Sequence, residues 1–487
     1  MEISQLMEKT EAGIYRLLCQ LKETTQAVPI KQLCQESGLS KATVLKYLEY
    51  YQEDHLLTSL VGPLVVQEDS CQLLLVHDVD WSLVLDSFLD SSIKYQILLY
   101  LLDHSAFAIQ KLSQQLRVSE ATFHRHLSGL NELLKEFDCG IYNGHWKGPE
   151  HQIRYFYWCL LRRTWSIEQL QDLETQPDLH KEVQVIERLC QTTLLPENRQ
   201  AISLWILISH KRWNKGNTDS SHLSQLLQPY QNNIFYQRLE RACLRYFSRY
   251  AVELDEGEAH NIFAFLVSLE TLPAHTMTFL LGFGGPVADQ MTVVIQHLRA
   301  QGICGQHLPH QVTEVLGRIL HRQYFFQGTI WSFQREYNLE TAYFIDFVGE
   351  KQSLLVDKLL PGTAGVSGLT CELRWHLLSL LAFLNQTRQE KLRIALDMSG
   401  GDLALELVKA SLEKELAYNR LLEFLPYQLG EDYDGLITNQ ALQRHISGPS
   451  YRLHGPLQKK DQQAIAAWLQ DLLLDKEEFV LPSFPSY

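Results

Sequence analysis

At 487 residues the chain is too long for one hydrophobic core, and a composition of 45% hydrophobic and 21% charged residues, with no low-complexity tract, excludes an intrinsically disordered protein. A formal net charge of −14 excludes nucleic-acid binding by bulk attraction, so any such contact must come from local basic positions. The opening MEISQLMEKTEAG is acidic with no apolar run, and no later stretch reaches about 18 uninterrupted apolar residues, so neither export nor membrane spanning is expected and a cytoplasmic location follows.

The first strong feature is a repeat. PIKQLCQESGLSKATVLKYL, residues 29–48, returns 79 residues later as AIQKLSQQLRVSEATFHRHL, residues 108–127, with identities at Ile30/Ile109, Leu33/Leu112, Gln35/Gln114, Ser40/Ser119, Ala42/Ala121, Thr43/Thr122 and Leu48/Leu127. In each copy a helix-periodic segment ends at a turn, and a second begins at a Ser suited to N-capping. At about 100° per residue, Val44, Leu48 and Tyr51 share one face, as do Phe123, Leu127 and Leu130. IYRLLCQL and YQILLYLL predict one more helix upstream of each unit, and LVVQEDSCQLLLV and CGIYNGHWKG predict strands downstream. Three helices and a hairpin, twice, describe two winged helix-turn-helix modules, whose third helix buries one stripe and offers short and basic side chains to a DNA groove. Lys41, Thr43 and Lys46 in the first copy and Thr122, His124 and Arg125 in the second are the candidate DNA contacts.

From about Gly148 the texture becomes helix-rich, opening on GPEHQIRYFYWCLLRRTW, and this region repeats as well. LPENRQAISLWILISHKRW, residues 195–213, parallels LPHQVTEVLGRILHRQYFF, residues 308–326, placing His210 14 residues and His321 12 residues beyond a proline. His260 and His376 follow 50 and 55 residues later, each expected at the head of another apolar helix. A histidine on an apolar helix is more often a satisfied core group than a reactive one. Cys304, His307 and His310 stand at three-residue intervals, but Pro309 breaks the helical register and no fourth ligand is evident, so no metal site is expected. The nine cysteines form no CxxC pair and read as small core residues of a reducing compartment. No phosphate-binding glycine loop, HExxH or GxSxG occurs, so neither an enzyme nor a cofactor site is expected.

KLRIALDMS, residues 391–399, alternates like a strand, GGD reads as a turn and LALELVKASLEKEL as a helix. Further strands near LLEFLPYQL and DGLITN and a last helix around DQQAIAAWLQDLLL complete an α/β layer.

The tandem LSKATVLKYL and VSEATFHRHL units, the GPEHQIRYFYW junction and the His-bearing helical pair resemble the Mga/AtxA class of virulence and global regulators of Gram-positive bacteria. The resemblance implies winged helix-turn-helix modules at 1–80 and 81–150, helical domains regulated by the sugar phosphotransferase system at 165–285 and 286–389, and an enzyme-IIB-like domain at 390–487. It makes His210, His260, His321 and His376 candidate phosphorylation sites. Where the enzymatic relatives of the last domain carry a phosphorylated cysteine, this chain has Ser399, Gly400, Gly401 and Asp402, so that domain is expected to be a partner or dimerisation surface. The implied function is a homodimeric DNA-binding transcription regulator tuned by phosphocarrier proteins. The alternatives are an RNA-binding antiterminator, which the paired helix-turn-helix units disfavour, and a phosphotransferase, which the missing thiol disfavours.

Overall fold

In a computed structural model, the described residues are 1–191, 193–213, 221–248, 257–269, 272, 274–300, 310–331, 348, 356, 368–388, 392–415, 422–428, 431–440, 448–455 and 457–478. They are mainly helical with a few small sheets, and the chain divides into two compact units, Met1–Leu384 and Asn385–Tyr487.

The first unit begins with α1 (Lys9–Leu21), α2 (Ile30–Ser37) and α3 (Lys41–Glu53), closed by a small antiparallel sheet of β1 (Val28–Pro29), β2 (Leu64–Val66) and β3 (Ser70–Leu73) in the order β1-β3-β2. Gly38, at φ 68°, turns α2 into α3, a left-handed conformation that glycine adopts without a Cβ penalty. The repeat follows with α6 (Ile93–Asp103), α7 (Ile109–Gln115), α8 (Glu120–Leu134) and the hairpin of β4 (Gly140–Tyr142) and β5 (His145–Lys147). At the place equivalent to Gly38 stands Arg117, at φ 55°, so the turn is kept at some backbone cost. Two short helices escape the sequence reading. They are α4 (His55–Val61), capped by Asp54 accepting from the Leu56 and Leu57 amides, and α5 (Trp81–Leu89), capped by Asp80.

The change of texture at Gly148 is a change of element, not of core. α9 (Glu150–Thr164) is buried over nearly its whole circumference, including Glu150, His151, Gln152 and Arg154. Around it one contiguous apolar core takes in both N-terminal modules, α10 (Ile167–Thr175), α11 (Pro177–Cys190), α12 (Pro196–Arg212), α13 (Ser221–Leu227), α14 (Ile234–Ser248), α15 (Gly257–Ser268) and α16 (Ala274–Leu281). A second core lies among α17 (Pro286–Ala300), α18 (His310–Phe325) and the helix Gly368–Arg388, while Phe325 and Phe326 reach back into the first. Residues 328–331 return to the N-terminus: the Ile3 amide donates to the Trp331 carbonyl at 2.7 Å, and the Trp331 amide to the Met1 carbonyl at 2.9 Å.

The second unit is an α/β layer. β6 (Leu392–Asp397), β7 (Leu422–Pro426), β8 (Gly435–Thr438) and β9 (Ser450–Arg452) form a parallel sheet in the order β7-β6-β8-β9, with helices Gly401–Glu415 and Lys459–Glu478. Every strand read from sequence is present, and β9, three residues long, is added. In the loop after β6 the Ser399 amide donates to Asn439 Oδ1 at 2.7 Å.

One expectation is corrected. His260 is the fourth residue of α15, but His376 lies near the middle of the helix Gly368–Arg388 rather than at its head, because residues 368–375 already form its first two turns. Of Cys304, His307 and His310, where no metal site is expected, the first two lie outside the described residues and His310 begins α18. Among the described residues no group of His, Cys, Asp and Glu is arranged to hold a metal ion, and no single helix is long and apolar enough to cross a membrane.

Candidate nucleic-acid interface

The two recognition helices start alike. Ser40 accepts from the Thr43 amide at 3.2 Å, and Ser119 from the Thr122 amide at 3.1 Å. In both, the threonine hydroxyl also pairs with the capping serine, at 2.8 and 2.9 Å, so the repeated Ser-x-x-Thr pattern serves the cap first and leaves Thr43 and Thr122 half-buried at its shoulder. The inward stripes are as expected: Val44, Leu48 and Tyr51 are buried in α3, and Phe123, Leu127 and Leu130 in α8.

The outward faces differ in charge. Lys41 and Lys46 are exposed, but Lys41 is held 3.0 Å from Asp69 on the β2–β3 hairpin, whose tip also carries Glu68. Lys46 lies 5.2 Å above the Tyr50 ring, and hydrogen bonding to Tyr50 raises its pKa. His124 and Arg125 are exposed on α8. Around them the second module adds Lys111 on α7, Arg117 at the turn, and His145 and Lys147 on its hairpin, all exposed. Lys147 covers the Tyr142 ring at 5.6 Å. Residues 1–80 hold six Lys and Arg against twelve Asp and Glu, whereas residues 81–150 hold six against eight. Since phosphate contacts supply most of the affinity for DNA, the second module is the better equipped.

Its wing is tied directly to its recognition helix. Asn131 of α8 donates to the Ile141 carbonyl at 2.9 Å and accepts from the Ile141 amide at 2.7 Å, so helix and hairpin present one rigid surface. The first wing is held in a different way: Gln52 of α3 donates to the Leu64 carbonyl at 3.1 Å, Gln72 donates to the Thr25 carbonyl at 2.6 Å, and β3 pairs with β1. Lys147, His145 and Arg117 were missed in the sequence; the Asn143-Gly144 turn with alternating flanks was the available signal for the two wing residues.

The modules are fixed to each other and to α9. Ser92, the cap of α6, donates to the Leu6 carbonyl at 2.5 Å, and Lys94 donates to the Gln5 carbonyl at 2.6 Å. His126 Nδ1 lies 3.5 Å from Glu8 Oε1, and burial lowers its pKa. Three residues after the second wing begins a buried charge ladder. Arg212 of α12 donates twice to Glu150 at 2.8 Å, Arg154 donates to Glu150 at 2.9 Å, and Arg154 grips Glu258 of α15 through two bonds of 2.6 and 2.5 Å and Ser209 at 3.1 Å. Lys211 pairs with Asp103 at the end of α6.

The four histidines sit in four different environments. His210, exposed in the last turn of α12, holds Glu182 at 3.1 Å through Nε2, and that bond raises its pKa. His260 is half-buried, its Nδ1 3.3 Å from the Ser224 hydroxyl. His321 is fully buried, donates from Nδ1 to the Gly317 carbonyl at 2.7 Å, and is driven by burial to a pKa of about 4. His376 is half-buried against Trp375. The similar offsets of 14 and 12 residues from Pro196 and Pro309 therefore do not produce matching surroundings.

Residues 77–161 match the family model of the Mga helix-turn-helix domain. The match covers α5, the second module and most of α9, and it bears out the Mga-like resemblance there. No curated protein matches the chain.

Proposed function

We propose that the chain is a DNA-binding transcription regulator that grips duplex DNA chiefly through its second winged module. The observation that carries this reading is the repeated unit of a Ser-capped, outward-basic helix with a hairpin wing, the second copy of which is an Mga helix-turn-helix domain by its match. Arg125 and His124, with Lys147 and His145 of the wing, contact DNA; Lys41, Thr43, Lys46 and Thr122 add weaker contacts, because Lys41 must first leave Asp69. Titrating labelled duplex DNA and a structured RNA of equal length at one stated salt concentration tests this. Preference for the RNA would overturn it in favour of an antiterminator.

Control is proposed to come from phosphorylation of histidine by phosphocarrier proteins of the sugar phosphotransferase system, within helical domains at 165–285 and 286–389. His210 ranks first: it is exposed, and a phosphoryl group on Nε2 would expel Glu182 and draw on Lys211, which is anchored to the second module through Asp103. His260 and His376 follow, and His321 comes last, since its ring is buried away from any donor protein. Phosphoenolpyruvate with the general phosphotransferase proteins should give acid-labile label that His210→Ala reduces. Label unaffected by Ala at all four positions would overturn the assignment. The C-terminal unit at 390–487, enzyme-IIB-like without the thiol, is proposed to act with the second helical domain in homodimerisation.

A further inference from the structure

A cavity of about 450 Å³ opens in the first unit, walled by α9, α15, α18, residues 329–331 and the helix Gly368–Arg388. Four arginines line it, Arg162, Arg163, Arg318 and Arg322, together with His376. Among the described lining residues there is no carboxylate, in a chain where acidic residues outnumber basic ones by 57 to 43. Glu314, one turn back on α18, stands behind Arg318 at 3.7 Å. Arg322 is aimed by the Tyr155 hydroxyl, which accepts from Nε at 3.2 Å and from a terminal nitrogen at 2.8 Å. Arg162 stacks on Trp158, 5.0 Å from its ring centroid.

A second observation is independent of charge. Ser268 at the end of α15 lines the same cavity, is 97% buried, and its hydroxyl has no hydrogen-bond partner among the described residues. A buried hydroxyl left unpaired costs free energy, and a ligand oxygen in the cavity would satisfy it. Converging guanidiniums recognise tetrahedral oxyanions with directional, charge-assisted bonds. Trp158, Trp331 and Trp375 supply apolar and planar surface beside them.

We infer that this cavity binds a small phosphorylated molecule carrying at least two negative charges. A phosphoryl group on His376 has the same chemistry, but it would occupy only a few water volumes, each about 30 Å³, of the space available. The remaining space has room for the organic part of a free phosphate ester. The wall formed by residues 329–331 is bonded to the DNA modules: the Thr329 amide donates to Glu136 beyond the end of α8 at 3.2 Å, and Trp331 pairs with the first residues of the chain. A shift of that wall on occupancy would be felt first at the end of α8 and at the first residues of the chain. The inference goes beyond the DNA-binding reading and does not depend on it.

The test is calorimetric titration of the full chain, shown by mass to be unphosphorylated, with inorganic pyrophosphate, glucose 6-phosphate and ADP, and with glucose as control. Saturable binding of at least one phosphorylated probe, with glucose silent, is expected. The pair Arg162→Gln with Arg318→Gln should weaken it by about tenfold, and Arg162→Gln alone, at an exposed position that leaves the fold intact, by about threefold. No saturable binding of any probe at millimolar concentration overturns the inference, because the unmodified chain then has no site for a free ester. Binding that is unchanged in both variants overturns it too, since the ligand then sits elsewhere.

Discussion

Arg125 and Lys147 illustrate how a single charge on an acidic protein is assigned a task by its surroundings. Both are exposed on elements of the second module, and among the described residues neither is tied to an acidic partner that must first be displaced. Replacing either by Ala should weaken binding to promoter DNA and reduce the slope of log affinity against log salt by about 0.9 for each phosphate no longer neutralised. Lys41→Ala should cost less, because Asp69 already competes for the ammonium; fluorescence anisotropy across a salt series measures all three. Glu150 lies at the opposite extreme. Burial alone would raise its carboxyl, yet Arg212 and Arg154 outweigh burial and hold it at about 2. A depressed carboxyl contributes stability that is present above its unfolded value near 4.5 and is lost as pH falls toward 2. Arg154→Met, which strands Glu258 in the core and leaves Glu150 to Arg212 alone, should destabilise the first unit by about 3–5 kcal/mol in denaturant titrations. His321 works in the same direction at higher pH. Its ring is held neutral in the fold, so stability should fall as pH drops from about 6.5 toward 4, by at most about 1.4 kcal/mol per pH unit, and His321→Met should remove that step.

Among the elements, the second wing depends on one glycine. Gly144 has φ 77°, and a Cβ there would stand 2.0 Å from the Phe107 carbonyl oxygen, while the Gly144 carbonyl accepts from the Phe107 amide at 3.1 Å. Gly144→Ala should therefore displace the hairpin from the segment around Phe107 that leads into α7, cost roughly 2 kcal/mol or more in thermal unfolding, and reduce DNA affinity together with it. Much of this module was legible in the sequence, because capping serines, a 3.6-residue apolar stripe and an Asn-Gly turn are local signals that each residue carries by itself. The helices α4 and α5, at seven and nine residues, span too few turns for a periodicity to register. The candidate site was legible in its helix and not in its wing or its electrostatics. Whether Lys41 meets Asp69, 28 positions away, is decided by how the hairpin folds over α3, and no pattern within either segment records it. The different fates of His210 and His321 have the same origin: similar positions along two helices, but opposite placements relative to the core.

At the scale of the whole molecule, the chain divides after Leu384, and the C-terminal layer has a core of its own in Leu392, Ile394, Phe424, Ile437, Ile465 and Leu469. A chain ending at Leu384 should fold with an unchanged unfolding transition for the first unit. Light scattering should find the full chain at least dimeric at micromolar concentration, and a strict monomer would remove the proposed role of the C-terminal unit in assembly. The junction near Gly148 behaves in the opposite way, because the aromatic packing of α9 disregards it. Trp146 of the wing donates to the Tyr157 hydroxyl at 3.1 Å, Tyr157 donates to the Leu98 carbonyl at 2.8 Å, and Phe137 packs edge-on against Phe156. The two N-terminal modules consequently cannot travel as a cassette. A genetic exchange that joined them at Gly148 to the helical region of a diverged relative would mismatch both halves of one interior, so this pair of modules and the helices behind them are constrained to be inherited, and to change, together.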